Sequence, residues 1–581
     1  MRTMLGMMAL LIQVLLLSCA SGPRSAGQSD PSHAEVAKTL DDFIQAHTAQ
    51  LSPLYKDKNL AYWRATTGAD PEAYQEVTRL ELAMRKLHAD PVRFAELQRL
   101  RQAAAGSAET ATLRQAELLA KAFAENQIET DALARMVTLT TRVEKTFSQF
   151  KGTLEGQPAS DNQLKAILRS STDPAMRRAA WVAYKAKGAA VQTLVLELVG
   201  LRNQAARALG FKNYYQMRLV LQEQDPERIQ ALFDELARLT DGPFAVLKAE
   251  IDAEIGERFG IAPAALMPWH YDDPFFQEPP RLRGLELDPL FVGRDPRKVV
   301  QGFFVGVGLD PADILEHSDL YEKPGKMPHA YCEHIDRAGD VRILANLEPN
   351  EQWTSTLMHE MGHAVYDRFL NMDLPWLLRT PAHPFTTEAV AMLFGRQTRN
   401  PAWLVGALGA PSAKVEALRA DLARSQRMGM LVFARWAMVM MNFERQLYAD
   451  PDQDLNKLWW DLKERYQLVR RPPDRNAPDW ASKIHVAAWP AYYHNYLLGE
   501  LMASQLLDTL AREVVPGGDP KDLDLVGQEQ VGAWLKANIF APGASLRWDE
   551  LLKKATGSSL DPKYFAQQFF GDLPVSPGAT R

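Results

Sequence analysis

Residues 352–370 read QWTSTLMHEMGHAVYDRFL. The stretch lacks proline and carries apolar residues at helical spacing, which predicts a helix. His359 and His363 are four residues apart, so both imidazoles lie on one helix face and can bind one metal ion. Glu360 follows the first histidine, where its carboxylate can accept a proton from water at the metal. These residues are therefore predicted to be two metal ligands and a general base.

A third ligand is needed, because catalytic zinc keeps three protein ligands and one open position. Glu388 is the candidate, within Thr386-Thr387-Glu388-Ala389. We expect a threonine cap after Pro384 to begin a second helix, with Glu388 in its first turn. An acidic residue in a first turn commonly does no more than complement the helix dipole, and that alternative stays open for Glu388 taken alone. The predicted cofactor is one Zn²⁺ per chain.

The rest of the chain is predicted to be mainly helical. Apolar residues recur at three- and four-residue spacing in the segments Val36–Leu51, Glu72–His88, Thr112–Ala124, Asp131–Phe150 and Pro226–Ile255. Prolines are expected between helices, as at Pro53, Pro71, Pro91 and Pro174. In Pro328–Leu347, short apolar runs flank the turn-rich stretch Asp336–Asp340, which predicts a β-hairpin just before the metal helix. Residues 34–581 contain no long linker and are expected to form one catalytic unit.

Composition supports a globular protein and argues against one class of partner. The 581 residues are 46% hydrophobic and 24% charged, which is ordinary for a folded soluble domain. The formal net charge is −6, and no dense tract of lysine and arginine is present. Nucleic-acid binding therefore has no support, and none is predicted.

The first residues are expected to be an export signal. Arg2 precedes an apolar run, Leu5–Leu17, which is too short for a comfortable membrane span. We predict a signal peptide at residues 1–18, and Ser18-Cys19 resembles the lipobox of bacterial lipoproteins. Lipidation of Cys19, a flexible tether at residues 19–33 and a periplasmic-facing anchor in the bacterial cell envelope would follow. A simple signal peptide with an incidental cysteine is the alternative. The other cysteine is Cys332, so acylation of Cys19 leaves no internal disulfide.

The segment His359–Gly395 resembles the angiotensin-converting-enzyme family of peptidyl-dipeptidases. That family has the same HEMGH, then Asp-Leu-Pro, then a glutamate ligand fifteen residues after that aspartate, the spacing of Asp373 and Glu388 here. The resemblance implies that Glu388 is the third zinc ligand. It also implies a helical ellipsoid with a deep central channel, partly covered by an N-terminal helical lid at about residues 34–150. Such a channel admits short peptides and excludes folded proteins.

Two further segments carry the resemblance. Lys483-Ile484-His485 is similar to the family's Lys-Phe-His, which implies that Lys483 binds the substrate's C-terminal carboxylate and His485 a substrate carbonyl. The segment 492–496 is similar to the family's tyrosine-rich helix. Within it Tyr496 is the first candidate to stabilise the oxyanion, with Tyr493 as the alternative.

Other candidate residues have less support from the sequence. Tyr492 is expected to contact substrate, and His329 in the hairpin is expected near the substrate strand. Where the family has an aspartate four residues after its third ligand, this chain has Met392. We therefore expect Asp367, one turn beyond His363, to support a histidine ligand instead.

The implied activity is a zinc-dependent peptidase that releases dipeptides from the C-terminus of short peptides. The Tyr-Tyr-x-x-Tyr-Leu pattern is also similar to the thimet oligopeptidase family, so an oligoendopeptidase is the enzyme alternative. A peptide-binding lipoprotein without turnover is the alternative from another class. The expected partners are short peptides and, through the lipid anchor, a lipid bilayer.

Overall fold

The computed structural model describes residues 33–68, 70–280 and 285–571. These residues form a mainly α-helical protein with two small antiparallel hairpins, which confirms the predicted fold class. The predicted signal peptide, Cys19 and nearly all of the predicted tether lie outside the described residues. Among the described helices, none has both the length and the apolar character needed to cross a membrane.

The N-terminal half of the described chain contains ten helices, of which the first and the last are the longest. They are α1 (His33–Gly68), α2 (Pro71–His88), α3 (Pro91–Ala103), α4 (Thr110–Glu125), α5 (Thr130–Gln149), α6 (Asp161–Ser170), α7 (Pro174–Lys185), α8 (Lys187–Ala208), α9 (Tyr214–Leu221) and α10 (Pro226–Phe259). The helical segments expected from periodicity all lie in this set, and their ends agree within a few residues apart from that of α1.

The C-terminal half carries the metal motif. Its helices are α11 (Asp288–Phe291), α12 (Pro296–Gly306), α13 (Ala312–His317), α14 (Glu351–Arg368), α15 (Pro384–Gly395), α16 (Pro401–Gly406), α17 (Ser412–Ala449), α18 (Leu455–Gln467), α19 (Ile484–Ala488), α20 (His494–Glu513), α21 (Glu529–Leu535), α22 (Trp548–Thr556) and α23 (Lys563–Phe570). Short 3₁₀ turns join several of them.

Of the four prolines expected between helices, Pro71, Pro91 and Pro174 begin helices, and the fourth corrects the expectation. Pro91 and Pro174 occupy the first turn of α3 and α7, where the missing N–H costs nothing, and the preceding aspartates cap the free backbone amides. Pro53, by contrast, lies inside α1 and does not end it. An interior proline removes one hydrogen bond, and the helix continues because its face is packed on both sides of that position.

The two hairpins are β1 (Gly152–Leu154) with β2 (Gln157–Ala159), and β3 (Tyr331–His334) with β4 (Val341–Leu344). The second confirms the hairpin predicted before the metal helix, with Tyr331 opposite Leu344 in register. The first was not expected from the sequence. Beyond β4, Asp319 pairs with its backbone, so that edge is occupied, and the opposite edge belongs to β3.

Apolar side chains of the described residues form one large core, a separate N-terminal cluster and a small third cluster of Trp63, Ile335 and Leu344. The large core runs from α5 to α23 and includes the apolar face of α14 and most of α15. The separate cluster joins α1, α3 and α4 and reaches Leu377 in the segment between α14 and α15. The N-terminal helices thus have their own apolar contacts, which is compatible with the predicted lid. The lid and the single-unit boundary stay predictions.

Candidate active site

Two packed helices, α14 and α15, bring the metal motif together. Their close approach depends on Gly362, because a Cβ atom there would lie 2.6 Å from the Cα of Ala391. His359 and His363 project from the same face of α14, and Glu388 projects from α15. A larger residue at position 362 would force the ligand-bearing helices apart.

The start of α15 differs from the expectation. The helix begins at Pro384, and its cap is His383, whose Nδ1 accepts the backbone N–H of Phe385 at 3.1 Å. The predicted threonine cap is therefore wrong, because proline fixes the first helical position and an extended His383 precedes it. Glu388 consequently lies just beyond the first turn, and its role is not that of a dipole-compensating acid at the helix start.

The spacing of the three side chains fits a tetrahedral metal. The Nε2 atoms of His359 and His363 are 3.3 Å apart, and those atoms lie 3.6 and 3.8 Å from Oε2 of Glu388. A tetrahedral zinc with bonds of about 2.0–2.1 Å separates its ligand atoms by roughly 3.3 Å. Two imidazoles and one carboxylate are also a donor set that zinc accepts. The predicted residues are thus brought together; their binding of zinc stays a prediction.

Desolvation prepares the histidines for this role. Burial lowers the pKa of His359 to about 4. The pKa of His363 is lowered well below its usual value, first by burial and then by the neighbouring His359. Both rings are therefore neutral near pH 7, which is the form that binds a metal. Burial and then Glu500 raise the pKa of Glu388 to about 7. A cation between the three side chains would oppose that shift.

The candidate base, Glu360, is held next to the hairpin. Its carboxylate accepts the backbone N–H of Cys332 in β3, which opposes the effects of burial and of Glu388 on its pKa. The net result raises the pKa of Glu360 to about 8. A carboxyl group with a raised pKa, only 9% exposed and one residue from a ligand, has the properties of a group that takes and returns a proton.

Support for the histidine ligands comes from a residue that the sequence interpretation missed. The hydroxyl of Thr387 lies 2.8 Å from Nδ1 of His363 and so fixes the orientation of that ring. The expected Asp367 does not serve this purpose, because it pairs with Nδ1 of His334 at 3.7 Å. Thr387 precedes the ligand Glu388 directly, and that adjacency was the signal available in the sequence.

A cavity of about 510 Å³ opens beside His359 and Glu360. His359, Glu360 and Met392 line it together with Glu500, which is paired with Arg396. The cavity gives a ligand access to the candidate base. Its lining among the described residues does not include Lys483 or His485, so a continuous channel joining the two regions stays a prediction.

The tyrosine-rich segment lies against the ligand Glu388. Burial and then the Glu388 carboxylate raise the pKa of Tyr496 and of Tyr492, so both hydroxyls are near that ligand and keep their protons. The Tyr492 and Tyr496 rings are 5.3 Å apart, and the ring of Tyr493 lies 5.4 Å from that of Tyr496. Tyr493 differs, because its hydroxyl accepts a hydrogen bond from Nε1 of Trp436 at 2.7 Å.

His485 belongs to the same cluster of rings. Its ring lies 4.9 Å from that of Tyr493 and 6.3 Å from that of Tyr496. Nδ1 of His485 is buried without a hydrogen-bond partner in the described part of the chain. Because this unpaired nitrogen is enclosed by its neighbours, the role predicted for His485 stays a prediction.

Lys483 lies next to these rings and reveals a second missed residue. Its Nζ donates to Oε1 of Gln277 at 2.6 Å and lies 5.4 Å from the centre of the Tyr493 ring. Burial lowers the pKa of Lys483 to about 8, so the ammonium form still predominates at pH 7. Lys483 is therefore no solvated surface lysine. Gln277 is 206 residues away in sequence and lies in an irregular segment, so no local pattern indicated it.

His329 is placed apart from these groups. It is exposed in the loop that precedes β3. No recorded hydrogen bond or ring contact joins it to the other candidate residues within the described ranges. Its predicted contact with substrate stays a prediction.

The fold and the site together define a class. The protein is a mainly helical chain in which an HExxH helix and the next helix bring together two histidines and a glutamate that could hold a metal ion. The family described as angiotensin-converting enzyme, Peptidase M2, matches residues 34–270 and 297–571. The chain belongs to this family.

Individual relatives show how far the similarity extends. The angiotensin-converting enzyme of Rattus norvegicus is 25% identical over 453 residues, which cover 72% of this chain and 33% of that protein. The enzyme of Oryctolagus cuniculus is 27% identical over 440 residues, covering 68% and 32%. The chain thus spans about one third of the length of these relatives. The inactive angiotensin-converting enzyme-related protein of Caenorhabditis elegans is also similar, 22% identical over 223 residues, so family membership alone does not establish activity.

Proposed function

We propose that this protein is a zinc-dependent peptidase that removes dipeptides from the C-terminus of short peptides. The observation that carries the proposal is the geometry of His359, His363 and Glu388, whose ligand atoms lie within 4.8 Å of one another with Glu360 alongside. A binding protein has no need of a desolvated carboxyl group next to a metal centre.

The proposed roles follow from the positions of the side chains. Zinc, when bound, supplies a Lewis acid that makes water acidic enough to lose a proton near neutral pH. Glu360 accepts that proton as water attacks the scissile carbonyl, and then delivers it to the leaving amine. The hydroxyl of Tyr496 donates a hydrogen bond to the oxyanion, which needs a donor placed for the transition state. His485 binds a neighbouring substrate carbonyl.

Release of dipeptides is supported by the pair formed by Lys483 and Gln277. A buried ammonium group recognises a free carboxylate through a charge-assisted hydrogen bond, and the amide of Gln277 adds a donor. The hydroxyl proton of Tyr493 is free to donate, since its oxygen already accepts from Trp436. Fixing the carboxylate at this place fixes which peptide bond reaches the metal. Tyr492 and the edge of β3 near His329 are proposed to contact the rest of the peptide.

The test uses one quenched fluorescent peptide, synthesised as the free acid and as the C-terminal amide. We expect the zinc-loaded protein to release a C-terminal dipeptide from the acid, identified by mass spectrometry, and to cleave the amide at least about tenfold less efficiently. Equal cleavage of both peptides would instead assign an oligoendopeptidase of the thimet type. Binding of both without cleavage would assign a peptide-binding protein.

We also propose that the protein is exported and anchored to a lipid bilayer of the bacterial cell envelope through Cys19. The apolar run Leu5–Leu17 followed by Ser18-Cys19 supports this proposal. The full-length chain is expected in the membrane fraction, and Cys19→Ala is expected in the soluble fraction of the periplasm. Mass spectrometry of the mature N-terminus decides the matter, since an unmodified Cys19 would refute acylation.

A further inference from the structure

Residues 273–277 form an irregular segment, called the strap below, which ends at Gln277. Its backbone is unusual at Phe276, where φ is +54°, in the left-handed region that glycine normally occupies. A large residue is strained in that conformation, and it persists there only where its surroundings impose it. The strap is therefore held in place by its surroundings.

Three buried side-chain hydrogen-bond donors impose this conformation on the strap. Three consecutive carbonyls of the strap each accept one side-chain hydrogen bond: that of Pro274 from Nε1 of Trp181 at 3.1 Å, that of Phe275 from Nζ of Lys463 at 2.8 Å, and that of Phe276 from Nε2 of Gln467 at 2.6 Å. On the other side, Oδ1 of Asp273 accepts the backbone N–H groups of Phe275 at 2.9 Å and Gln277 at 3.0 Å.

Lys463 and Gln467 act as a unit. They lie one turn apart at the end of α18, and Nζ of Lys463 also donates to Oε1 of Gln467 at 2.5 Å. Both side chains are buried, with 4% and 0% of their surface exposed. An amino group buried to this degree is costly unless its hydrogen bonds are made, so its position is narrowly determined.

We propose that Lys463 and Gln467 are positioning residues that hold the strap so that Gln277 and Lys483 together recognise the free carboxylate of the substrate. The inference rests on the proposed function of Lys483. The path is short: Lys463 fixes the carbonyl of Phe275, Gln467 fixes that of Phe276, and the next residue accepts from Nζ of Lys483 at 2.6 Å. Neither Lys463 nor Gln467 needs to touch the substrate.

The test compares two variants of the holoenzyme with one control. Lys463→Met removes the donor to Phe275 with little change in volume. Gln467→Glu replaces the donor to Phe276 with a carboxylate oxygen, which repels that carbonyl, and keeps an acceptor for Lys463. Lys457→Met, on the same helix, alters a lysine whose side chain is 62% exposed and paired with Asp461. Folding is followed by thermal melting and zinc content by elemental analysis.

The expected result is a selective loss. Lys463→Met should raise KM for the free-acid peptide on the order of tenfold, with kcat and the cleavage of the amide changed by less than about twofold. Gln467→Glu should act in the same direction with an effect at least as large, because it adds repulsion to the loss of the donor, and Lys457→Met should behave as wild type. Parallel losses on acid and amide, or an unchanged preference for the acid in a folded variant, would overturn the inference.

A crystal structure separates this inference from the proposed function. If the wild-type protein cleaves the acid and the amide equally, the proposed dipeptide release is refuted, but the positioning role of Lys463 and Gln467 can still be tested in the crystal. In Gln467→Glu we then expect Phe276 to leave the left-handed region and the contact between Gln277 and Lys483 to be lost. A strap that keeps its conformation in that crystal would refute the positioning role.

Discussion

The two ends of the candidate site are built in different ways. At the metal end, two regular helices pack at the close approach of Gly362 to Ala391, and their own hydrogen bonds fix the backbone. At the other end, an irregular strap carries Gln277, and buried side chains from α7 and α18 satisfy its carbonyls. Rigidity therefore comes from secondary structure in one region and from buried polar side chains in the other.

The two ends are therefore sensitive to different kinds of mutation. The metal end tolerates no added volume between its helices, because a packed backbone cannot move aside. The strap end depends on single donors, each of which leaves a buried carbonyl unsatisfied when it is removed. The following substitutions test that contrast and are given in decreasing order of their expected effect.

Glu360→Gln tests the chemistry at the metal end. The amide cannot accept a proton, so we expect kcat to fall by about 10²–10⁴-fold. Zinc content should stay that of wild type, because Glu360 is not a ligand in the proposed site. Kinetics with the quenched peptide and elemental analysis of the same sample provide the measurement. Glu348→Gln, at an exposed position before α14, is the matched control. A variant at position 360 with more than about a tenth of wild-type kcat would exclude the proposed base.

Gly362→Ala tests the helix contact. The new Cβ would lie 2.6 Å from the Cα and 3.0 Å from the backbone N of Ala391, so the helices must separate. Overpacking of this kind costs about 1–3 kcal/mol, and both thermal stability and zinc affinity should fall. Gly200→Ala in α8 is the control, since nothing lies within 4 Å of its added Cβ. There we expect a stabilisation of up to about 1 kcal/mol. Equal melting temperatures for the two variants would contradict the packing argument.

Thr387→Val tests the support of a ligand. The valine has nearly the same shape but offers no oxygen to Nδ1 of His363, 2.8 Å away. Loss of such a partner weakens metal binding by about 10–100-fold, measured by competition with a chromogenic chelator. Thr387→Ser keeps the hydroxyl and is expected to retain most of the affinity. If valine and serine bind zinc equally well, the hydroxyl has no orienting role.

Lys483→Met tests recognition at the strap end. Removal of the ammonium group should lower the ratio of acid to amide cleavage by about tenfold and leave zinc affinity unchanged. The effect should appear in KM for the free acid. The exposed control Lys457→Met should keep the wild-type ratio. A variant at position 483 that still prefers the acid to the wild-type degree would remove Lys483 from the carboxylate site.

The contrast also explains what the sequence could predict. The spacing of His359, Glu360 and His363 on one helix indicated most of the metal end, and the family resemblance added Glu388. The hairpin before the metal helix was indicated by its turn-rich centre. The predicted start of α15 was wrong, because the histidine cap depends on a backbone conformation that residue type does not reveal.

Long-range contacts account for the rest. Spacing indicated Asp367 as the partner of His363, whereas the packing of α15 on α14 places Thr387 there instead. Gln277 meets Lys483 across 206 residues, from a segment without periodicity. The left-handed conformation of Phe276 could not be predicted either, because buried donors distant in sequence impose it.

The most direct test of the account is a zinc titration of the metal-free protein, with hydrolysis of the free-acid peptide as the readout. We predict that activity is absent at the start, rises in proportion to added zinc and reaches its plateau at one zinc per chain. The plateau should be abolished in Glu388→Ala. Full activity in the metal-free protein, or no activity in protein that has bound one zinc per chain, would contradict the proposal that these side chains form a catalytic zinc centre.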